Sequence, residues 1–247
     1  MLTIIIKTNN SEDTISETLE SVKDLGEIVV IDEHSTDDTI LIAKEYKAKI
    51  VYSSIIEFCD IFKQVISEIE NDWILFLEGN EVVPELLGND ILNYIENPKK
   101  NKNVLFLANK LFYLDKEIKA SRELKPKLFK KGFIELKNNY STELKPLKTK
   151  TYKLSKGYKD NKNCILKFQK QSITEILKNE PEKISIELKE ISTFKNSVFF
   201  KPLFGFLNIY FIKGAVFDGK KGYIYSFYKA AELFLAECIK YEKQSSK

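Results

Sequence analysis

Two apolar runs, each ending on an acid, constrain the fold of this chain more than any other feature. Ile28-Val-Val-Ile31 leads straight into Asp32, and Trp73-Ile-Leu-Phe-Leu77 leads into Glu78. Unbroken β-branched and aromatic runs of this length are the pattern of strands buried on both faces, as in a parallel sheet. Such strands need helices over them. The sequence supplies these in alternation with the strands. Leu2–Ile6 reads as a first strand. Ser11 then caps a helix that carries Ile15, Leu19 and Val22 on one face. A helix over Thr36–Tyr46 and a short strand over Lys49–Tyr52 follow the second strand. Glu57–Glu70 reads as a third helix, and Pro84 sits in the first turn of a fourth that runs to Glu96. After the turn Asn97-Pro-Lys-Lys-Asn comes a strand over Val104–Ala108. The alternation predicts an α/β sheet. In open sheets of this kind ligands bind at the carboxyl ends of the strands, which puts Asp32 and Glu78 on one working edge.

The run Glu27–Thr39 supports two readings. Ser35 is a good N-cap, and Ser35 with Asp38 fits a capping box. Asp37 and Asp38 would complement the dipole of the helix they open. Capping accounts for Ser35, Asp37 and Asp38 but not for Asp32, which ends the strand. The second reading makes Asp32 a nucleotide contact. An acid that accepts a base or ribose hydrogen bond, beside an acid that holds a divalent cation, is the outline of a nucleotide-diphosphate site. Glu81 reads either as part of that second loop or as the first-turn acid of the Pro84 helix.

Several classes are disfavoured. The net charge is only +3 and Arg122 is the only arginine, so no nucleic-acid partner is expected. Cys59, Cys164 and Cys238 form no C-x-x-C pair, which argues against zinc and a disulfide framework and for a reducing cytoplasm. No signal peptide is read at the start of the sequence. His34 is the only histidine; it reads as a turn residue, and its isolation argues against zinc hydrolases and Ser-His-Asp schemes. From Asn109 to Phe194 the pattern is less regular, with β-like pieces at Leu128–Phe129 and Ile134–Leu136. Helical patterns follow at Ile173–Leu177 and Pro181–Ile191. From Ser197 the chain becomes dense in Phe and Tyr, interleaved with Lys201, Lys213, Lys220, Lys221, Lys229 and Lys240. That composition suits either a helical pair using its rings as core or an interfacial element on an anionic membrane. Its longest apolar stretch, Leu203–Ile212, is too short to span a bilayer.

The chain resembles family 2 glycosyltransferases of the GT-A fold, and within them the branch acting on lipopolysaccharide core and related surface glycans. The stretches that carry the resemblance are Ile4–Asn9, Leu19–Lys23, Glu27–Thr39, Asp72–Leu77 with Glu78–Glu81, Lys127–Gly132, Lys201-Pro202, Phe217-Asp-Gly219 and Gly222. The resemblance implies a GT-A (Rossmann-like) mixed sheet flanked by helices, with a C-terminal helical, aromatic-rich extension. Residues 1–108 would form the nucleotide-sugar half, 109–196 the acceptor half of the same domain, and 197–247 the extension. It further implies a nucleotide-binding set of Thr8, Asn9, Asp32, Asp37 and Glu78. Glu78 and Asn80 take the places of the two aspartates of a D-x-D metal motif. Glu143 falls on the acceptor-side acid that would act as base in an inverting transfer. Lys127 sits where a basic residue faces the diphosphate or acceptor. Glu78-Gly-Asn80 lacks one of the two aspartates, so a divalent cation (Mg²⁺ or Mn²⁺) is expected to bind weakly. Lys156 takes the place of a downstream histidine ligand, and so stands as a surrogate for the metal in a metal-independent transfer. The implied partners are a nucleotide-sugar donor and a glycan or lipid-linked acceptor. The implied location is the cytoplasm, at the inner face of the cytoplasmic membrane, with peripheral contact to it. The same departures leave a second reading, a GT-A scaffold that binds nucleotide without turnover.

Overall fold

A computed structural model describes residues 1–54, 57–113, 116–136, 143–147, 149–154, 162–170 and 200–245. The chain divides into two compact units: residues 1–112 with 122–169, and residues 113–121 with 170–247.

The first unit is a mixed sheet flanked by helices. Its parallel block comprises β1 (Leu2–Thr8), β2 (Glu27–Asp32), β3 (Lys49–Tyr52) and β4 (Trp73–Glu78). The rest of the sheet contains the two-residue β5 (Glu81–Val82), β6 (Lys102–Tyr113), β7 (Lys116–Lys130), antiparallel to β4, and β11 (Ile165–Gln169), antiparallel to β5. The order across the sheet is β3-β2-β1-β4-β7-β6-β11-β5, with β10 (Lys150–Lys153) also paired to β6. β8 (Ile134–Leu136) and β9 (Leu144–Pro146) form a separate two-stranded sheet. The helices are α1 (Glu12–Val22), α2 (Thr39–Glu45), α3 (Phe58–Glu68) and α4 (Glu85–Glu96).

The unbroken apolar runs are explained by burial on both faces. Ile4, Ile6, Val30, Leu75 and Leu77 point to one side, where they meet Ile15, Leu19 and Val22 of α1 and Leu87 and Ile91 of α4. Ile5, Val29, Ile31, Ile74 and Phe76 point to the other, against Phe58, Phe62 and Val65 of α3. Successive strand residues alternate faces, so a run with no polar gap serves two cores at once. The register sets the working edge. Thr8 pairs with Asp32, Asp32 with Tyr52, and Lys7 with Glu78. A cavity of about 800 Å³ opens at the opposite, amino edge, lined by Leu2, Leu25, Glu27, Lys49 and Glu68 among others.

Some local expectations are corrected. α2 begins at Thr39, not Thr36, and its N-cap is Asp38. Ser35 is not a cap, because its amide and hydroxyl both donate to Asp32 and fold the chain into a turn before the helix can start. Ser11 does precede α1, but by its carbonyl, which accepts from Thr14 and Ile15; its hydroxyl donates to the Asn9 carbonyl. Pro84 is the residue before α4 rather than its first turn. The strand expected at Val104–Ala108 extends over Lys102–Tyr113, and Leu128–Phe129 lies within the long β7. The helical patterns at Ile173–Leu177 and Pro181–Ile191 lie outside the described residues.

The second unit takes in the end of β6 at Tyr113, the start of β7 over residues 116–121, and two described helices, α5 (Phe200–Leu207) and α6 (Gly219–Ser245). A wide turn at Asn208–Ile212 and a 3-10 turn at Ala215–Asp218 join the helices. The stretches 200–212 and 215–238 meet at a bend of 70°. Ile118, Ala120 and Ala215 form its small core with Ile209, Tyr210 and Tyr225 around them. The buried Asp218 accepts from the Ala120 amide. Gly222 lies so close to the Ala215 carbonyl that a Cβ there would sit 1.9 Å from its oxygen. No single described helix is long and apolar enough to cross a membrane.

Candidate functional site

The β1 and β2 exits are stitched together by reciprocal hydrogen bonds. Asn9 Nδ2 donates to the Glu33 carbonyl at 2.6 Å. The Asn10 amide donates to Ser35 Oγ, and the Thr36 amide returns a bond to Asn10 Oδ1, both at 2.8 Å. The Ser11 amide donates to Thr39 Oγ1 at 2.7 Å. Asp37 accepts from the Glu12 amide with one oxygen and from the Thr39 amide with the other. Glu12 in turn accepts from the Asp38 amide. Asn10 and His34 carry the positive φ values, 45° and 55°, that these tight exits require, and Asn and His are among the side chains that tolerate them. His34 is thus a turn residue, as its sequence context predicts, and its ring stacks on Tyr52 with centroids 6.1 Å apart.

Asp32 is fully buried beneath this frame. Ser35 Oγ donates to Asp32 Oδ1 at 2.5 Å and the Ser35 amide to Oδ2 at 2.9 Å. The strand-ending acid therefore holds the turn. An ionised carboxylate keeps further acceptor capacity beyond these two bonds. Lys7 Nζ stands 2.8 Å from the buried Glu33 Oε1, an ion pair whose angle misses hydrogen-bond alignment.

The second loop, Glu78-Gly-Asn80, is held from below and from the side. Thr14 Oγ1 donates to the Gly79 carbonyl at 2.9 Å. A Cβ on Gly79 would sit 2.7 Å from Thr8 Oγ1, so only glycine lets the loop lie this close to β1. β11 runs antiparallel to β5, pairing Lys167 with Glu81, and the Phe168 amide donates to the Asn80 carbonyl. This brings two lysines onto two glutamates. Lys167 Nζ is 2.5 Å from Glu78 Oε2, and Lys127 Nζ is 2.6 Å from Glu81 Oε2. Glu81 also accepts from the Glu78 amide and from Asn109 Nδ2. The Lys127–Glu81 pair is buried, whereas Glu78 and Lys167 keep 32% and 25% of their side chains exposed. Burial opposes the charge on Glu78, but Lys167 and then Lys127 outweigh it and hold the carboxyl well below the usual carboxylate range. Burial likewise opposes the charge on Lys167; Glu78 and then Glu81 outweigh it and hold the ammonium above the ordinary lysine range.

These residues do not fit a divalent cation. Such an ion takes hard oxygen donors, carboxylates first. The loop offers one exposed carboxylate, and Lys167 already neutralises it. The Asn80 amide oxygen is buried without a hydrogen-bond partner among the described residues, as is the Thr8 hydroxyl. Neither brings a charge. No group of three His, Cys, Asp or Glu side chains that would hold a metal occurs among the described residues.

The expected site residues fare differently. Thr8, Asn9, Asp32, Asp37 and Glu78 lie at one edge, on the exits of β1, β2 and β4. Lys127 is in the second-loop cluster, but as the buried partner of Glu81. Glu143 is exposed and immediately precedes β9, in the two-stranded sheet. Lys156 lies outside the described residues, as do Tyr140, Ser141 and Thr142 beside Glu143. Glu81 is no helix-opening acid: it belongs to β5 and is fully buried. Sequence reasoning misses Lys167 and the two lysine–glutamate pairs. The available signal was a lysine amid the apolar strand pattern Ile165-Leu-Lys-Phe.

Residues 3–107 match the family model described as Glycosyl transferase family 2. An uncharacterized glycosyltransferase of Rickettsia typhi is 28% identical over 147 residues, covering 57% of this chain and 50% of that protein. One from Rickettsia conorii is 26% identical over 147 residues, covering 57% and 52%. The chain thus spans about half the length of the curated relatives it matches. Among solved structures, the glucosyl-3-phosphoglycerate synthase of Mycobacterium tuberculosis, in complex with Mn²⁺ and UDP-glucose, aligns at 19% identity with a TM-score of 0.36 over 46% of this chain and 43% of that one. The chain is thus similar to family 2 glycosyltransferases over residues 3–107 and to these Rickettsia relatives over 147 residues.

Proposed function

We propose that the protein is a family 2 glycosyltransferase of the GT-A fold that takes a sugar from a nucleotide-diphosphate sugar and passes it to a cell-surface glycan or lipid-linked acceptor, in the manner of the lipopolysaccharide-core branch. One observation carries the reading. The family match over residues 3–107 spans both acid-bearing loops, after β2 and after β4, and these share the carboxyl edge of one parallel block. In this reading Thr8, Asn9, Asp32 and Asp37 frame the nucleoside, and the Ser35 turn yields an Asp32 oxygen to the base or ribose. Glu78 lies on the diphosphate side. The acceptor hydroxyl gives its proton to a carboxylate, which the resemblance assigns to Glu143, and its oxygen bonds to the anomeric carbon. The bond from that carbon to the diphosphate breaks, the nucleoside diphosphate leaves, and the configuration inverts.

The same reading assigns the exposed aromatic face of the second unit to an anionic bilayer at the inner side of the cytoplasmic membrane, where a lipid-linked acceptor is met. Phe200, Phe204, Phe211, Ile212 and Phe217 are each more than half exposed, and Lys213 and Lys220 lie exposed among them.

The test is a thermal-shift panel of UDP-, GDP-, ADP- and CDP-sugars, followed by transfer assays on the donor that binds. A ligand that binds only the folded state raises the melting temperature by mass action. One nucleotide class should do so, and Asp32→Ala should abolish the shift. A protein that no donor shifts is not a nucleotide-sugar enzyme. Binding without turnover on any acceptor would select the catalytically silent scaffold instead.

A further inference from the structure

We infer that Lys167 receives the diphosphate of the donor in place of a divalent cation, with Glu78 holding its ammonium in position until the phosphates arrive. The inference rests on the nucleotide-sugar reading and names the chemistry of its phosphate side. Glu78 ends β4 at the edge where ligands of such sheets bind, and Lys167 is fixed beside it by the β11–β5 pairing, 2.5 Å away and partly exposed. Lys127 stands under the same loop and cancels the buried Glu81. The two glutamates and two lysines sum to zero charge, so the cluster has no surplus negative charge to recruit Mg²⁺ or Mn²⁺. A diphosphate has the opposite need. It brings negative charge that an ammonium binds as a point charge, and Lys167 can exchange one Glu78 oxygen for a phosphate oxygen without crossing the site. The Thr8 hydroxyl, buried beneath Gly79 and without a partner among the described residues, offers a second donor from below. Charge building on the departing diphosphate is what most needs stabilising when the sugar–phosphate bond breaks. An ammonium pre-placed there does this with no ion to load.

Inorganic pyrophosphate, titrated calorimetrically into the full chain in excess chelator, tests the cation site directly. The wild type should bind it. Lys167→Ala should weaken binding by roughly tenfold to a hundredfold, the range of a charge-assisted hydrogen bond. Lys167→Arg should retain most of the affinity. Glu78→Gln releases the ammonium and should tighten binding. This variant also guards against Lys167→Ala simply failing to fold, because a purely structural ion pair gives no reason for pyrophosphate affinity to rise. Pyrophosphate binding that is absent in chelator, or appears only with added Mn²⁺, overturns the inference. A parallel titration with UDP, GDP, ADP and CDP separates the two claims. Pyrophosphate binding with no nucleoside diphosphate binding sinks the nucleotide reading alone, whereas nucleotide binding that needs Mn²⁺ and ignores Lys167 sinks the cation alone.

Discussion

The Lys127–Glu81 pair is the most consequential contact at the scale of single residues. Both side chains are out of water, and Glu81 is satisfied by the Lys127 ammonium, the Glu78 amide and Asn109 Nδ2. Breaking a buried pair leaves a charge in a poor solvent, which costs about 3–5 kcal/mol, whereas replacing both partners by apolar groups of like size is often close to neutral. Lys127→Met alone should therefore lower unfolding stability by an amount in that range in urea titrations. Lys127→Met with Glu81→Leu should recover most of the loss, while leaving the Glu78 amide without its acceptor. A double variant no better than the single would show that the amide bond, not the charge, is what matters. Residues of this kind are only half legible. Asp32 stands out because it breaks an apolar run at a strand end. Lys167 does not, because it is one lysine in a lysine-rich chain. Its importance comes from the two-residue β5, too short to leave any periodicity in the sequence.

The elements that carry burial on two faces announce themselves, since a strand such as Trp73–Leu77 has no other way to be accommodated. Those whose limits are set by side chains reaching back to backbone do not. The start of α2 is the clear case. Capping statistics favour Ser35, yet Asp32 competes for the same hydroxyl and amide and moves the helix start to Thr39. The long antiparallel β7 is similarly obscured, because its partly exposed residues alternate with buried ones over a Lys-rich stretch. At this scale Asp37 is the test. It accepts from Glu12, at the first turn of α1, and from Thr39, at the first turn of α2, so it ties together two helix starts whose amides have no partner within their own helices. Asp37→Ala should cost about 1–2 kcal/mol in chemical denaturation, the upper range of a lost cap. Asp37→Asn, which keeps one acceptor oxygen, should recover part of it. Loss below about 0.5 kcal/mol, the ordinary range for a surface change, would mean that water replaces the carboxylate and the loops stand without it.

On the scale of the whole molecule, the sequence reading begins an extension at Ser197, whereas the second compact unit takes in residues 113–121 and 170–247, and nothing in the sequence marks the start of β7 as part of it. That strand start joins through Ile118 and Ala120, which are far in sequence from the helices they meet. Among its described residues that unit buries few apolar side chains and exposes many. Phe206 stacks on Tyr210 and Tyr223 meets both edge-on, while Phe217 is 83% exposed, Ile212 76%, Phe200 73% and Phe204 67%. Scattered apolar side chains on a surface are ordinary, but here the exposed ones concentrate within Phe200–Phe217, and large exposed apolar patches mark interaction sites. Lys213 and Lys220 flank the Ala215–Asp218 turn, and the proposed function takes an anionic bilayer as the covering partner. Each lysine near such a surface contributes ~1 kcal/mol, or roughly fivefold in partitioning. The full chain should therefore co-sediment with vesicles containing phosphatidylglycerol and much less with neutral phosphatidylcholine. Phe211→Ser with Phe217→Ser should reduce binding to both, because the rings supply the non-selective part. Lys213→Gln with Lys220→Gln should remove most of the preference for the anionic vesicles and leave binding to the neutral ones unchanged. Background sedimentation with either lipid would end the membrane assignment. If it came with concentration-dependent self-association in analytical ultracentrifugation, the exposed rings would instead be the contact between two copies of the chain.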